Sequence, residues 1–295
     1  MATAAEWIEG ARLRTLPASV APVLMGAAVA ASVGHLSWLR TLLAALVALA
    51  LQVAVNFSND YSDGVRGTDT VRVGPQRLIG SGAASPKQVL AAAICCYALA
   101  CLAGLALVAL SGQWWLLLVG VACVLAAWFY TGGKHPYGYM GLGEVFVFIF
   151  FGLVATAGTT YTQAGRVPVS GWLAAVAMGA LACAVLVCNN QRDLPLDAKS
   201  GKITLSVRLG DRGSRWFYLI LSVLSQVLLM WLIFATTLWV MPGVLIAIVL
   251  LNVADVRMMS GVTGMALVKV LKLTSFAELA AGAGVLAGVL IAMVI

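Results

Sequence analysis

The sequence predicts an all-α, polytopic membrane bundle: nine transmembrane helices around a central cavity open at the cytoplasmic face. Three observations carry this. Of 295 residues, 62% are apolar and only 10% are charged, against roughly 25% charged in an average soluble domain. Mean hydropathy is +1.00. The apolar residues also gather in runs close to the ~20 that cross a bilayer. So few charges cannot cover a soluble surface, so the main solvent is lipid. Length alone allows two soluble domains, but one membrane domain over 1–295 accounts for the composition better.

In chain order the expected spans are 16–33, 38–58, 89–110, 114–130, 142–161, 169–188, 216–237, 241–253 and 274–295. No charge separates Trp216 from Val253, a stretch too long for one crossing, so it is divided at Leu238–Pro242–Gly243. Arg257 extends the short eighth span by snorkelling. Residues 1–15 place Glu6, Glu9, Arg12 and Arg14 beside Trp7, Ile8 and Leu13, which suits an interfacial segment. Acids ahead of the first span and the lack of a small-residue cleavage pattern exclude a cleaved signal peptide. Cys95, Cys96, Cys101, Cys123, Cys183 and Cys188 all fall inside spans without metal-ligand spacing and read as small apolar packing residues. His35 and His135 lie in loops on opposite sides and have no metal-site partner.

Nine alternating crossings place sixteen of the eighteen basic residues on the N-terminal side, leaving Arg40 and Arg166 opposite. By the positive-inside rule this is a multi-pass cell-membrane protein with a cytoplasmic N-terminus and an outside C-terminus. The net charge of +7 is then topological. No nucleic-acid-binding motif accompanies it, so nucleic acid is excluded as a partner.

All eleven acids also fall on the cytoplasmic side, and two loops, 59–87 and 189–215, concentrate them. Asn56, Asn59, Asp60 and Asp63 stand at i, i+3, i+4 and i+7, lining one helix face at the mouth of span two. Asn189, Asp193 and Asp197 repeat the pattern after span six, where Pro195 kinks or ends the helix before Asp197. Carboxylates on one face repel unless cations neutralise them, and an oxygen-only set favours a hard cation such as Mg²⁺. Arg66, Arg72, Arg77, Arg192, Lys199 and Lys202 are interleaved with the acids, and Gly64, Gly67, Gly74, Gly80, Gly82 and Gly201 let backbone approach closely. That mixture suits a Mg²⁺-bridged diphosphate above a bundle able to hold hydrocarbon, a polyprenyl diphosphate. Solvated loop charges are the plain alternative. The repetition four spans apart, at membrane mouths, favours function and suggests an internal duplication.

The pair Asn59-Asp60-x-x-Asp63…Asp69 and Asp193-x-x-x-Asp197 resembles the two Asp-rich motifs of the UbiA-type intramembrane aromatic prenyltransferases. The resemblance covers nearly the whole chain, and the nine expected spans match that family's helical fold. Further motifs resemble the branch acting on 1,4-dihydroxy-2-naphthoate: Arg14-Thr15-Leu-Pro17-Ala-Ser19, Asp63-Gly64-Val-x-Gly67-Thr-Asp69, Gly74-Pro75-x-Arg77, Tyr130-Thr-Gly-Gly, Gly141-Leu-Gly143-Glu144 and Asn190-x-Arg192-Asp193 with Gly201-Lys202-x-Thr204. Lys134-His135-Pro136 departs from the Pro-x-Pro-like residues expected there. The resemblance implies Mg²⁺-dependent transfer of a polyprenyl group to the naphthoate ring, with loss of diphosphate and CO₂ to give demethylmenaquinone. Other acceptors in the family are 4-hydroxybenzoate, homogentisate and haem.

In that scheme Asp60 and Asp63 with Asn56 or Asn59, and Asp193 with Asp197, hold two Mg²⁺ ions, and Asp69 is a third ligand or orders its loop. Arg66, Arg77, Lys202 and Lys134 neutralise the leaving group, with Asn190 and Arg192 beside it, and Tyr61, Tyr130, Tyr137 and Tyr139 offer π faces to an allylic cation. Glu144 either pairs with Lys134 or Arg192, or places a naphthol hydroxyl. A transporter is the rival of another class, but its motif helices should break near mid-bilayer. A CDP-alcohol phosphotransferase shares Asp60-x-x-Asp63-Gly64, yet needs its second acid pair in the same segment. Prenyl chain length and oligomeric state are not encoded legibly.

Overall fold

Leu-, Ala- and Val-rich runs in lipid must satisfy every backbone polar group internally, which selects helices. The computed structural model describes residues 2–67 and 77–295, and every regular element among them is helical. A short α1 (Ala4–Gly10) opens with Thr3 and Glu6 satisfying each other's backbone N–H groups. Then come α2 (Pro17–Ser32), α3 (Trp38–Arg66), α4 (Pro86–Ser111), α5 (Leu116–Phe129), α6 (Gly143–Ala164), α7 (Val169–Lys199), α8 (Leu205–Ala235), α9 (Met241–Met259) and α10 (Leu267–Val294). Ser37, Ser85 and Thr204 cap the starts of α3, α4 and α8.

Seven of these helices are long and apolar enough to cross a membrane, α8 and α9 falling either side of a tight turn at Leu238–Val240. The shorter α2 and α5 occupy the first and fourth expected runs. The 29 residues of α3 and the 31 of α7 extend about 44 and 46 Å at 1.5 Å per residue, beyond a ~30 Å hydrocarbon core. Both helices are thus longer than one crossing requires, and the two acidic motifs lie in their C-terminal turns without leaving the helix. Pro195 does not end α7, which runs on to Lys199 and keeps Asp193 and Asp197 on one element.

The centre is built from α2, α7 and α10 around Met25, Ala177, Met178, Leu181, Ala281 and Val285. Small residues set the spacing. A Cβ on Gly152 of α6 would lie 2.5 Å from Gly179 Cα of α7, and one on Gly243 of α9 would lie 2.4 Å from Gly284 Cα of α10. Over Phe148–Ala157, α6 widens into a π-type helix. The acids are not all at helix mouths: Glu278 is fully buried within α10, eleven residues from its start, and neither of its carboxylate oxygens has a hydrogen-bond partner. The expected span begins at Thr274, which puts Glu278 near its cytoplasmic end; α10 begins seven residues earlier, at Leu267, and carries the acid into the interior.

Candidate active site

The last three turns of α3 supply the first half of the site. Asn56 Nδ2 donates to Ala11 O (2.9 Å), fastening the segment between α1 and α2 to α3, while Trp7 meets Phe57 edge-on at 5.5 Å. Asn59 Oδ1 accepts from Thr131 Oγ1 at 2.6 Å. Asp60 accepts from the backbone N–H groups of Leu78 (2.8 Å) and Ile79 (3.3 Å), which anchors the chain re-entering after the first motif. Asp63 faces Arg77 at 2.9 Å and accepts from the Tyr139 hydroxyl. Arg66, one turn on, donates to the carbonyls of Thr131 and Gly133. Asp69 lies outside the described residues.

The C-terminal turns of α7 supply the second half. Asp193 takes two hydrogen bonds from Arg192, at 2.7 and 2.6 Å, and Asp197 lies 3.3 Å from Lys202 Nζ. Glu144, at the start of α6, is partnered neither by Lys134 nor by Arg192. Its Oε1 accepts from Asn190 Nδ2 at 3.0 Å, and its buried Oε2 has no hydrogen-bond partner.

Tyr139 joins the halves. Its hydroxyl reaches Asp63 of the first motif, and its ring has the Arg66 guanidinium at 5.7 Å and Lys202 Nζ at 5.6 Å. The backbone is locked in place, because Ile203 N donates to Tyr139 O (3.1 Å) and Arg208 to Met140 O (2.9 Å). One aromatic side chain thus touches cations from both acidic motifs, which stand about 130 residues apart in the chain. Behind it, Tyr137 stacks on Phe146 at 3.9 Å and meets Tyr130 edge-on at 5.5 Å. Burial pushes the Tyr137 phenol up, and its hydroxyl donates to Ala126 O. Tyr61 packs instead near Phe57 and Leu78, and Lys134 and His135 are exposed at the rim.

The donors suit a hard cation: carboxylate and amide oxygens, with no thiolate or imidazole among them. Among the described residues no three acid, His or Cys side chains stand close enough to share one ion. Each described carboxylate of the two motifs is instead met by a base (Asp63, Asp193, Asp197) or by backbone N–H donors (Asp60). Sequence reasoning missed Arg12, whose charge acts on both Asp60 and Tyr130. Arg12 is also the one described non-glycine residue at positive φ, 55°, a conformation costing about 1–2 kcal/mol, and nothing in its local sequence announces that. Also missed was Arg215, which bonds Asp211, Met258 O and Val262 O and so braces the base of α8 against the turn after α9.

A bundle of helices carrying paired acid-rich ends is the architecture of a known enzyme class. Over residues 19–264 the chain matches the UbiA prenyltransferase family, to which it belongs. It is similar to a 1,4-dihydroxy-2-naphthoate octaprenyltransferase of Mycobacterium tuberculosis, at 51% identity over 95% of this chain and 94% of that one. It is also similar to an Escherichia coli protein of the same name, at 41% identity over 76% and 74%. The fold is that of a UbiA homologue from Aeropyrum pernix in its apo form (TM-score 0.73, 16% identity, 96% and 99% coverage). An Archaeoglobus fulgidus homologue bound to GPP and Mg²⁺ superposes with a TM-score of 0.68 at 15% identity, covering 96% and 99%.

Proposed function

We propose that this chain transfers a polyprenyl group from polyprenyl diphosphate to 1,4-dihydroxy-2-naphthoate, releasing diphosphate and CO₂ and giving demethylmenaquinol, the dihydroxy form that a separate two-electron oxidation converts to demethylmenaquinone. The observation that carries this reading is the union of the two acidic helix ends through Tyr139, in a chain 51% identical to a relative bearing the naphthoate octaprenyltransferase name. The archaeal homologue seen with GPP and Mg²⁺ supports the choice of donor and metal. Asp60, Asp63, Asp193 and Asp197, with Asn59, would hold Mg²⁺, which supplies positive charge to the departing diphosphate. The nine-span topology, with the mouth and N-terminus cytoplasmic and the C-terminus outside, belongs to the same reading.

Arg77, Arg192 and Lys202, each now beside a carboxylate, are the cations placed to take phosphate oxygens, with Arg66 and Lys134 at the rim and Asp69 ordering or completing the first motif. When the allylic C–O bond breaks, its electron pair leaves with diphosphate. The cation left behind lies under the π faces of Tyr139 and Tyr130. A naphthoate ring carbon then forms the new C–C bond, and the pair from the broken C–CO₂ bond restores aromaticity. Glu144, held by Asn190, would position a ring hydroxyl through its free oxygen.

The test is incubation of membranes carrying the protein with Mg²⁺, the naphthoate and a polyprenyl diphosphate, followed by mass spectrometry. The prenylated, decarboxylated product is expected, and Asp60→Asn should remove it. Product formed only from 4-hydroxybenzoate or another acceptor would overturn the acceptor assignment.

A further inference from the structure

Beside Tyr139 stands a cation, Arg208, that pairs with no carboxylate among the described residues, in contrast to Arg77, Arg192 and Lys202. The chain leaves α7 at Ser200, turns through Gly201 at φ 75°, and enters α8, which Gly210 interrupts at φ 69° and ψ 178°, backbone angles open essentially to glycine alone. Residues 202–209 are therefore a short arm set off by a kink from the rest of α8. One side of the arm is pinned to the bundle. Ser214 Oγ donates to Ser206 O at 3.2 Å, and Asp211, the residue after the kink, accepts from Arg215 and from Gln191 of α7. The other side grips the loop between α5 and α6, where Ile203 N donates to Tyr139 O and Arg208 Nη2 to Met140 O. The stem of Arg208 crosses Gly141, at φ 78°, where an added Cβ would stand 2.9 Å from Nε and 3.2 Å from Cδ. Only a residue without a side chain leaves that room.

The same arm carries Lys202, whose Nζ lies 5.6 Å from the centre of the Tyr139 ring and 3.3 Å from Asp197. Tyr139 itself sits in a loop, where no long helix or strand ladder fixes the ring, and a misplacement of about 1 Å at a reacting centre can cost up to a hundredfold in rate. We propose that Arg208 is a positioning residue for prenyl transfer. Without touching substrate, it ties the Tyr139 loop to the arm that carries Lys202, so that the ring keeps its place when Lys202 turns from Asp197 to a phosphate oxygen. This role rests on the prenyl-transfer reading above and on the place of Tyr139 in it. Being exposed, the Arg208 contact adds little to stability; its effect is on geometry.

Prenyl transfer is measured in membranes carrying the protein, with polyprenyl diphosphate varied at saturating acceptor. Arg208→Ala should lower kcat about fivefold, the worth of one exposed hydrogen bond. It should leave KM for the diphosphate within about twofold, because Lys202 keeps its own anchor on Asp197. Arg208→Met, which keeps a stem over Gly141 and loses the donors, should behave the same and covers the case of Arg208→Ala failing to fold. Arg208→Lys, whose ammonium reaches the same carbonyl, should recover most of the loss. Arg212→Ala, which removes an exposed charge just beyond the kink, should lose nothing. The deciding measurement is the double variant: in a Tyr139→Leu background, Arg208→Ala should cost less than about twofold, since the grip has no ring left to place. Additive losses, a raised KM in place of a lowered kcat, or equal losses in Arg208→Ala and Arg212→Ala would overturn the proposal and make Arg208 a cation acting on phosphate directly. A lowered unfolding midpoint with unchanged turnover per folded molecule would overturn it in favour of a purely structural contact. Transfer to 4-hydroxybenzoate alone, with the expected pattern of losses, breaks the acceptor assignment and keeps this role; transfer to the naphthoate undiminished in Arg208→Ala does the reverse.

Discussion

The mouth and the middle of the bundle bury polar groups in opposite ways. At the mouth, Asp60 is met by two backbone N–H groups, Asp63 by Arg77 and Tyr139, Asp193 by Arg192 and Asp197 by Lys202. In the middle, Glu278 is fully buried and both its oxygens are without partners. Burial alone therefore does not mark the reacting centre. What distinguishes the mouth is that each described carboxylate of the two motifs is met by a partner it can exchange for another: Arg192 on the same helix for Asp193, and residues of the adjoining loops for Asp60, Asp63 and Asp197.

The sharpest way to break this comparison is to remove one charge at the mouth. Asp193→Asn keeps size and helix but removes the negative charge that Arg192 and a metal would share. Prenyl transfer should fall at least about a hundredfold, with membrane insertion and the thermal melt retained. A variant keeping near-wild-type turnover would show that the second motif is structural. The complementary change is at the opposite end of the bundle, in the first turn of α9. Gly243→Val places side-chain atoms where Gly284 Cα already stands, at 2.4 Å from the added Cβ, and overpacking of this kind costs about 1–3 kcal/mol. The expected outcome is a lower unfolding midpoint in detergent, with activity per folded molecule little changed.

Tyr139→Phe probes the link between the two halves of the mouth. It removes the hydroxyl bonded to Asp63 but keeps the ring between Arg66 and Lys202, and a lost hydrogen bond to a charged group is worth roughly tenfold or more in rate. Tyr139→Leu loses the ring as well and should be the slower enzyme. Equal rates in the two variants would mean that the ring does not contribute.

Much of this was legible beforehand. The apolar runs fall on α2 to α10, and the spacing of Asn56, Asn59, Asp60 and Asp63 put them on one helical face because helical periodicity is local and strong. The division between α8 and α9 was signalled by Pro242 and Gly243. What was not legible depends on contacts between distant segments. Tyr139 sits in a loop with no periodicity, and nothing in its neighbourhood announces that Asp63, 76 residues earlier, will accept its hydroxyl. The Glu144–Asn190 pair and the Arg12 charge near Asp60 are tertiary in the same sense. Pro195 misled in the other direction, since one missing donor close to a helix end does not stop a helix that packing supports.

Glu278 gives the smallest effect and the most direct check on the contrast between the two regions. Its carboxyl group gave up water on folding and gained no hydrogen bond in return, a debt of about 1–3 kcal/mol that an apolar side chain of similar length does not carry. Glu278→Met should therefore leave prenyl transfer within about threefold and raise the unfolding midpoint by a few degrees, as relief of about 1 kcal/mol would do in a chain of this size. Loss of activity with an unchanged melt would instead make the deep acid part of the machinery, and the division between an exchangeable mouth and a passive middle would have to be redrawn around α10.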